Sequence, residues 1–191
     1  GDWRGASYDV VVVRATGDVD VCGLGVGAEE WETRATFKAM ENATSSDLDA
    51  RFGRLVIGGK GQGCDVMVYE AETGKRLYKA KPPPPNWLGY RAPPWVSATC
   101  FASTSECVRF FVGTGEHRFR HYDTREAKRA VLDLDVGKTV ITSVASSLDG
   151  SEAYVANARG AFEIIDLRAG KSRGKFRGNS GSIRQISVHP N

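Results

Sequence analysis

Short runs rich in β-branched and aromatic residues, each bounded by Gly, Asn or Asp, recur along the chain, which is the signature of strands separated by turns. The clearest group is "ITSVASS" (141–147), "EAYVAN" (152–157), "AFEIID" (161–166) and "SRGKFR" (172–177), with turns at "LDG", "ARG" and "LRAG" between them. A second group has the same plan: "VSATCF" (96–101), "VRFFVG" (108–113), "RFRHYD" (118–123) and "AVLDL" (130–134). In a third, "LVIGG", "DVMVYE" and "RLYKA" are clear, and the innermost strand is hidden somewhere in "ATFKAMENATSSDLDARFG" (35–53). Upstream, "DVVVVRA", "DVDVCGL" and "ETRATF" read as parts of an earlier unit, and "GSIRQISVHPN" (181–191) begins a further one.

The groups repeat. Glu70, Asp123 and Asp166 each end a strand at the same place in its unit, 53 and 43 residues apart. The second spacing matches the ~40–45 residue period of a WD-type propeller blade, and the first exceeds it by about the length of one insertion. Four short antiparallel strands per repeat make a blade, so the expected fold is an all-β WD40-type propeller. Its expected divisions are a partial blade at 1–37, blades at 38–81, 96–134 and 138–178, a connection at 82–95, and the start of another blade at 179–191. Three complete blades fall short of the ~4–8 of a closed ring, so the chain is expected to be a fragment with apolar blade faces exposed at both ends.

The insertion is "KPPPPNWLGYRAPPW" (81–95), which holds six of the seven prolines and two of the four tryptophans. Residues 82–85 could form a polyproline II ligand. The blade spacing on either side favours an extended crossing from the outer strand of one blade to the inner strand of the next, anchored by burial of Trp87 and Trp95.

Composition narrows the function classes. The longest apolar run, at 10–13, is far short of the ~20 residues of a membrane-spanning helix, and the N-terminus lacks the pattern of a signal peptide. The expectation is a soluble, non-secreted chain. Cys22, Cys64, Cys100 and Cys107 form no C-x-x-C pair, so no zinc ligand set is recognisable, and reduced thiols in a cytosolic or nuclear setting are expected. No metal or cofactor is expected.

A net charge of +3 names no polyanion by itself, but its distribution points to one stretch. Arg168, Lys171, Arg173, Lys175, Arg177 and Arg184 carry six positive charges with no acid among them. Strand alternation sets Arg173, Lys175 and Arg177 on one side and Gly174 and Phe176 on the other. A solvated strand that protects a sheet edge and a phosphate-binding strip are both open readings.

Catalysis finds little support. His117 and His121 flank Phe119 on one side of a strand without further ligands, and His189 lies in a turn. Asp123 and Asp166 belong to different blades at equivalent places and serve as scaffold candidates that close turns, whereas a glycosidase needs two converging carboxyls. "GGKGQGC" lacks the G-K-[ST] ending of a phosphate loop.

Several motifs together resemble the nucleolar WD-repeat factors that act in assembly of the large ribosomal subunit. "WLGYRAPPW" resembles that family's W-L-x-L-R-x-P-x-W between two blades, with Trp87, Leu88, Arg91, Pro93 and Trp95 in place. "GGK" at 58–60, "TGEHRFRHYD" and "IDLRAGKSRGKFRGNSGSIRQISVHP" resemble family motifs in the same order. Tyr69 and Glu70 stand where the family has Trp-Asp, and Tyr90 where it tends to have Leu. The resemblance covers most of the chain after residue 54.

It implies a seven-bladed propeller acting as a non-catalytic scaffold on early nucleolar precursors of the large subunit. The partners it implies are pre-ribosomal assembly factors, pre-rRNA and an AAA-type ATPase that releases the factor. Candidate partner or RNA contacts are then the basic run with Arg91. A WD-repeat adaptor in another nuclear or cytosolic complex is the alternative reading. A quinoprotein-like enzyme ranks below both, because its repeats predict Trp where Tyr78 and Phe176 stand.

Overall fold

The computed structural model of the chain describes residues 8–24, 31–63, 65–85, 87–102, 107–176 and 178–189. Arg177 and Cys64 lie outside them. The described residues form fifteen strands in four antiparallel sheets and no helix. The first sheet has the order β1 (Tyr8–Val13), β2 (Asp18–Leu24), β3 (Glu32–Lys38). The second is β4 (Ala43–Asp49), β5 (Arg54–Gly59), β6 (Met67–Glu70), β7 (Arg76–Lys79). The third is β8 (Val96–Phe101), β9 (Arg109–Thr114), β10 (Arg118–Asp123), β11 (Leu132–Asp135), and the fourth is β12 (Ile141–Ser146), β13 (Glu152–Asn157), β14 (Phe162–Asp166), β15 (Lys171–Phe176).

The second and third sheets each bury their two faces against two different neighbours, and strand alternation does the sorting. On β5, Leu55 and Ile57 pack toward the first sheet with Val19 and Tyr69, while Val56 between them packs toward the third with Tyr78 and Phe110. On β9, Phe110 and Val112 join that same layer, whereas Phe111 faces the fourth sheet with Ile141, Val155 and Ile165. A strand covered on both faces reads as a continuous apolar run, which is why "RLVIGG" and "RFFVGT" were legible as strands. The layers also stack their rings, with Phe110 parallel to Tyr122 at 4.9 Å.

The inner strands are joined by one device used three times. Thr44, Ser97 and Thr142 are the additional residues of β-bulges at the start of β4, β8 and β12. Each hydroxyl reaches the carbonyl of the next inner segment: Thr44 to Val96 at 2.6 Å, Ser97 to Ile141 at 2.6 Å and Thr142 to Ile183 at 2.5 Å. Close approach is needed there: a Cβ on Gly113 would lie 2.4 Å from Ile141 Cγ2. Residues 182–188 form no strand, yet they lie where the inner strand of a next blade would. Ile183 N–H donates to Asn157 O at 3.3 Å and Ile186 N–H to Ser143 Oγ at 3.0 Å.

Among the described residues the first sheet has the three outer strands of a blade and not the inner one. Ala39 N–H donates to Gly17 O just as Ala80 N–H donates to Val66 O and Val136 N–H to His117 O, so β2 and β3 correspond to the two outer strands of the other sheets. β1 then corresponds to β5 and β9, and among the described residues nothing occupies the place inside it. Apolar surface is exposed at both ends of the stack, at Val10 and Val12 of β1 and at Phe176 of β15 beside Phe162.

Candidate interaction surface

The proline segment crosses from β7 to β8, and it is held at its two ends. Lys81 N–H donates to Lys128 O at 2.6 Å, and at the far end Gly61 N–H donates to Pro94 O at 2.8 Å and Gly115 N–H to Trp95 O at 2.9 Å. Trp95 is half-buried: its ring packs on Gly115, where a Cβ would come within 2.1 Å, and Lys60 Nζ sits 4.1 Å from the ring centroid. Trp87 does not share this anchoring role. It is 90% exposed, because it stands in a turn closed by Gly89 at φ 75° and no sheet packs over it. Leu88 and Tyr90 are exposed beside it, as are Arg91 and Pro93.

Beneath the segment lies a groove of about 440 Å³, with Pro83, Pro84, Tyr90 and Trp95 on one side and Arg118, Arg120 and Asp133 on the other. Arg118 Nε donates to Asp133 Oδ1 at 2.8 Å, and Arg120 Nε lies 3.4 Å from Oδ2, close enough for an ion pair but without a hydrogen-bond partner. Asp65 is buried nearby with one unpartnered oxygen. Burial pushes its carboxyl above the usual range against the pull of Val66 N–H and Arg120.

The basic run is dispersed. Arg168 lies in the turn after β14 and Lys171 opens β15, both exposed. Arg173 is the additional residue of a bulge, which interrupts the expected alternation, and it pairs with Glu152. Lys175 Nζ is 2.9 Å from Glu163 and also donates to Val136 O. Arg184 sits at the other radial end, on the wall of an open recess of about 840 Å³ lined by the inner strands. That recess is polar, with Ser45 Oγ 2.9 Å from Thr99 Oγ1 and Asp47 accepting from Phe101 N–H at 2.7 Å. Burial and the Asp47 charge push the Cys100 thiol there up to about 12.

The acids at strand ends hold turns. Asp123 Oδ1 accepts from Arg125 N–H at 3.0 Å and Oδ2 from Arg109 Nε at 2.9 Å; burial opposes the charge, but these donors hold the carboxyl below its usual range. Asp166 Oδ1 accepts from Arg168 and Ala169 N–H at 3.0 and 2.9 Å. The two histidines part company: His117, at φ 55°, leaves the alternation of β10 and bonds Asp135 at 2.9 Å, while His121 packs against Phe111. Among the described residues no group of three His, Cys, Asp or Glu could hold a metal ion.

Three cations that no run of sequence brings together meet beside the proline segment. Lys81, Lys128 and Arg129 line one shallow depression, all exposed, and none is in an ion pair with a described residue. Lys81 is 47 positions from Lys128 in the sequence, so only the crossing hydrogen bond between them reveals the cluster.

No family model matches the chain. It is 33% identical over 137 residues to WD repeat-containing protein 74 of Bos taurus, covering 71% of this chain and 35% of that protein. It is 31% identical over 115 residues to the human protein of the same name, covering 60% and 29%. It is 26% identical over 111 residues to the ribosome biogenesis protein NSA1 of Yarrowia lipolytica, covering 56% and 27%. The chain thus spans about a third of the length of these curated relatives. With four antiparallel sheets stacked face to face and joined inner strand to inner strand, the chain belongs to the WD-repeat propeller family in which these proteins fall.

Proposed function

We propose that this chain is part of a non-catalytic scaffold in ribosome biogenesis that binds precursors of the large subunit in the nucleolus. What carries the reading is the match over 111 residues to a protein named for ribosome biogenesis. The side chains support it: Asp123 and Asp166 close turns, and Arg173 and Lys175 are paired with Glu152 and Glu163, so the candidate positions serve architecture and surface charge. In this reading the ring has seven blades, and its rims hold assembly factors. Exposed cations, Arg91, Arg168 and Lys171 among them, lie near pre-rRNA, and an AAA-type ATPase releases the scaffold so that rRNA processing and maturation proceed.

Affinity purification of the tagged full-length protein from its own cells, with bound proteins and RNA identified, tests this. Large-subunit assembly factors and precursor rRNA should co-purify. Recovery of an RNA-free complex without ribosomal factors would leave a WD-repeat adaptor of another kind.

A further inference from the structure

The molecule has two sets of basic residues, and they differ in what is left for a partner. In the run at 168–184, Arg173 and Lys175 are neutralised by acids of their own blade, and Arg184 faces the recess. At the junction of the second and third sheets, Lys81, Lys128 and Arg129 are exposed and in no ion pair with a described residue. The nearest acid on the same loop, Glu126, lines a different cavity with Arg109 and His121.

The depression and the proline groove adjoin. Lys81 is two residues from Pro83, at most ~7 Å along the chain, and Pro83 lines the groove with Tyr90 and Arg91. Between Pro83 and Tyr90 in the sequence stands Trp87, 90% exposed, and Tyr90 is 61% exposed. Cations that track a backbone, interleaved with aromatic faces on which unpaired bases can stack, are what a single-stranded nucleic acid requires. An acidic peptide would use the cations and leave the rings idle.

We propose that this junction binds single-stranded RNA, with Lys81, Arg91, Lys128 and Arg129 on phosphates and Trp87 and Tyr90 stacked on bases. The proposal rests on the ribosome-assembly reading and moves its RNA contact from the sequence run to the blade junction. With about four phosphates neutralised, log K should fall with log salt at a slope of about −3.

The test is fluorescence anisotropy of a labelled single-stranded RNA of about 12 nucleotides with purified full-length protein, between about 50 and about 200 mM salt. K128E/R129E should bind at least ~10-fold more weakly and with a slope shallower by about 1.4. W87A should bind at least ~5-fold more weakly with its slope unchanged, because stacking releases no counterions. R159E, at an exposed cation in the turn between β13 and β14 of the last sheet, should stay within ~2-fold of the parent if this surface is the site. Every altered side chain is exposed, so circular dichroism should show each variant folded. Absence of binding at low salt would overturn the proposal, as would equal affinity for an RNA duplex with W87A neutral. A polyglutamate peptide competing as well as RNA would instead assign the surface to an acidic protein. If these variants bind RNA normally while the protein still co-purifies with large-subunit precursors, the junction assignment alone fails.

Discussion

At the residue scale, buried polar groups make stability depend on pH in a direction that can be worked out. Burial, and after it Arg109, lower the pKa of His121 from its ordinary 6.5, against smaller opposing pulls from Asp123 and Glu126. The unfolded chain takes up the proton near 6.5 while the folded chain resists it. The contribution of neutral His121 is therefore present above 6.5 and lost as pH falls through the lower folded value. Denaturant midpoints of the full-length protein should fall between about pH 7.5 and about pH 5.5, and His121→Gln should flatten that slope. An unchanged slope in the variant would mean that other groups set it. The bulge hydroxyls make a second case. Thr142→Val removes the bond to Ile183 O and should cost about 1 kcal/mol in a denaturant titration, with Ser97→Ala costing a similar amount through Ile141 O.

At the element scale, the inner strands decide how sheets meet. Gly113→Val puts a Cβ 2.4 Å from Ile141 Cγ2 across two backbones that cannot part without losing the Ser97 bond, so ~1–3 kcal/mol of destabilisation is expected from the same titration. This geometry also explains what could be read from the sequence. Strands β5 and β9 were legible because both of their faces are covered by other sheets, which forces apolar runs. The strand hidden in 35–53 is β4, "ATSSDLD", whose Ser45 and Asp47 bond the next inner strand across the recess, so no apolar run marks it. Trp87 was expected to be buried because tryptophan generally is. Its exposure depends on the turn at Gly89 and on the absence of a covering sheet, neither of which local pattern records. The cluster of Lys81, Lys128 and Arg129 was illegible for a related reason, since a single crossing hydrogen bond creates it.

At the scale of the whole molecule, the repeated hydroxyl link and the alternating burial of each strand make the stack extensible: every sheet offers the next the same face and the same inner-strand register. Phe162 and Phe176 on the last sheet, and Val10 and Val12 on the first, are the apolar faces that a further sheet would cover. In the proposed reading the scaffold works by position, holding its rims and the basic, aromatic blade junction against a large particle. The most direct measurement is gradient sedimentation of the tagged full-length protein at native abundance, with precursor and mature rRNA probed in each fraction. The scaffold reading predicts co-migration with large-subunit precursors and its absence from mature ribosomes. Confinement of the protein to light fractions free of precursor rRNA would contradict it.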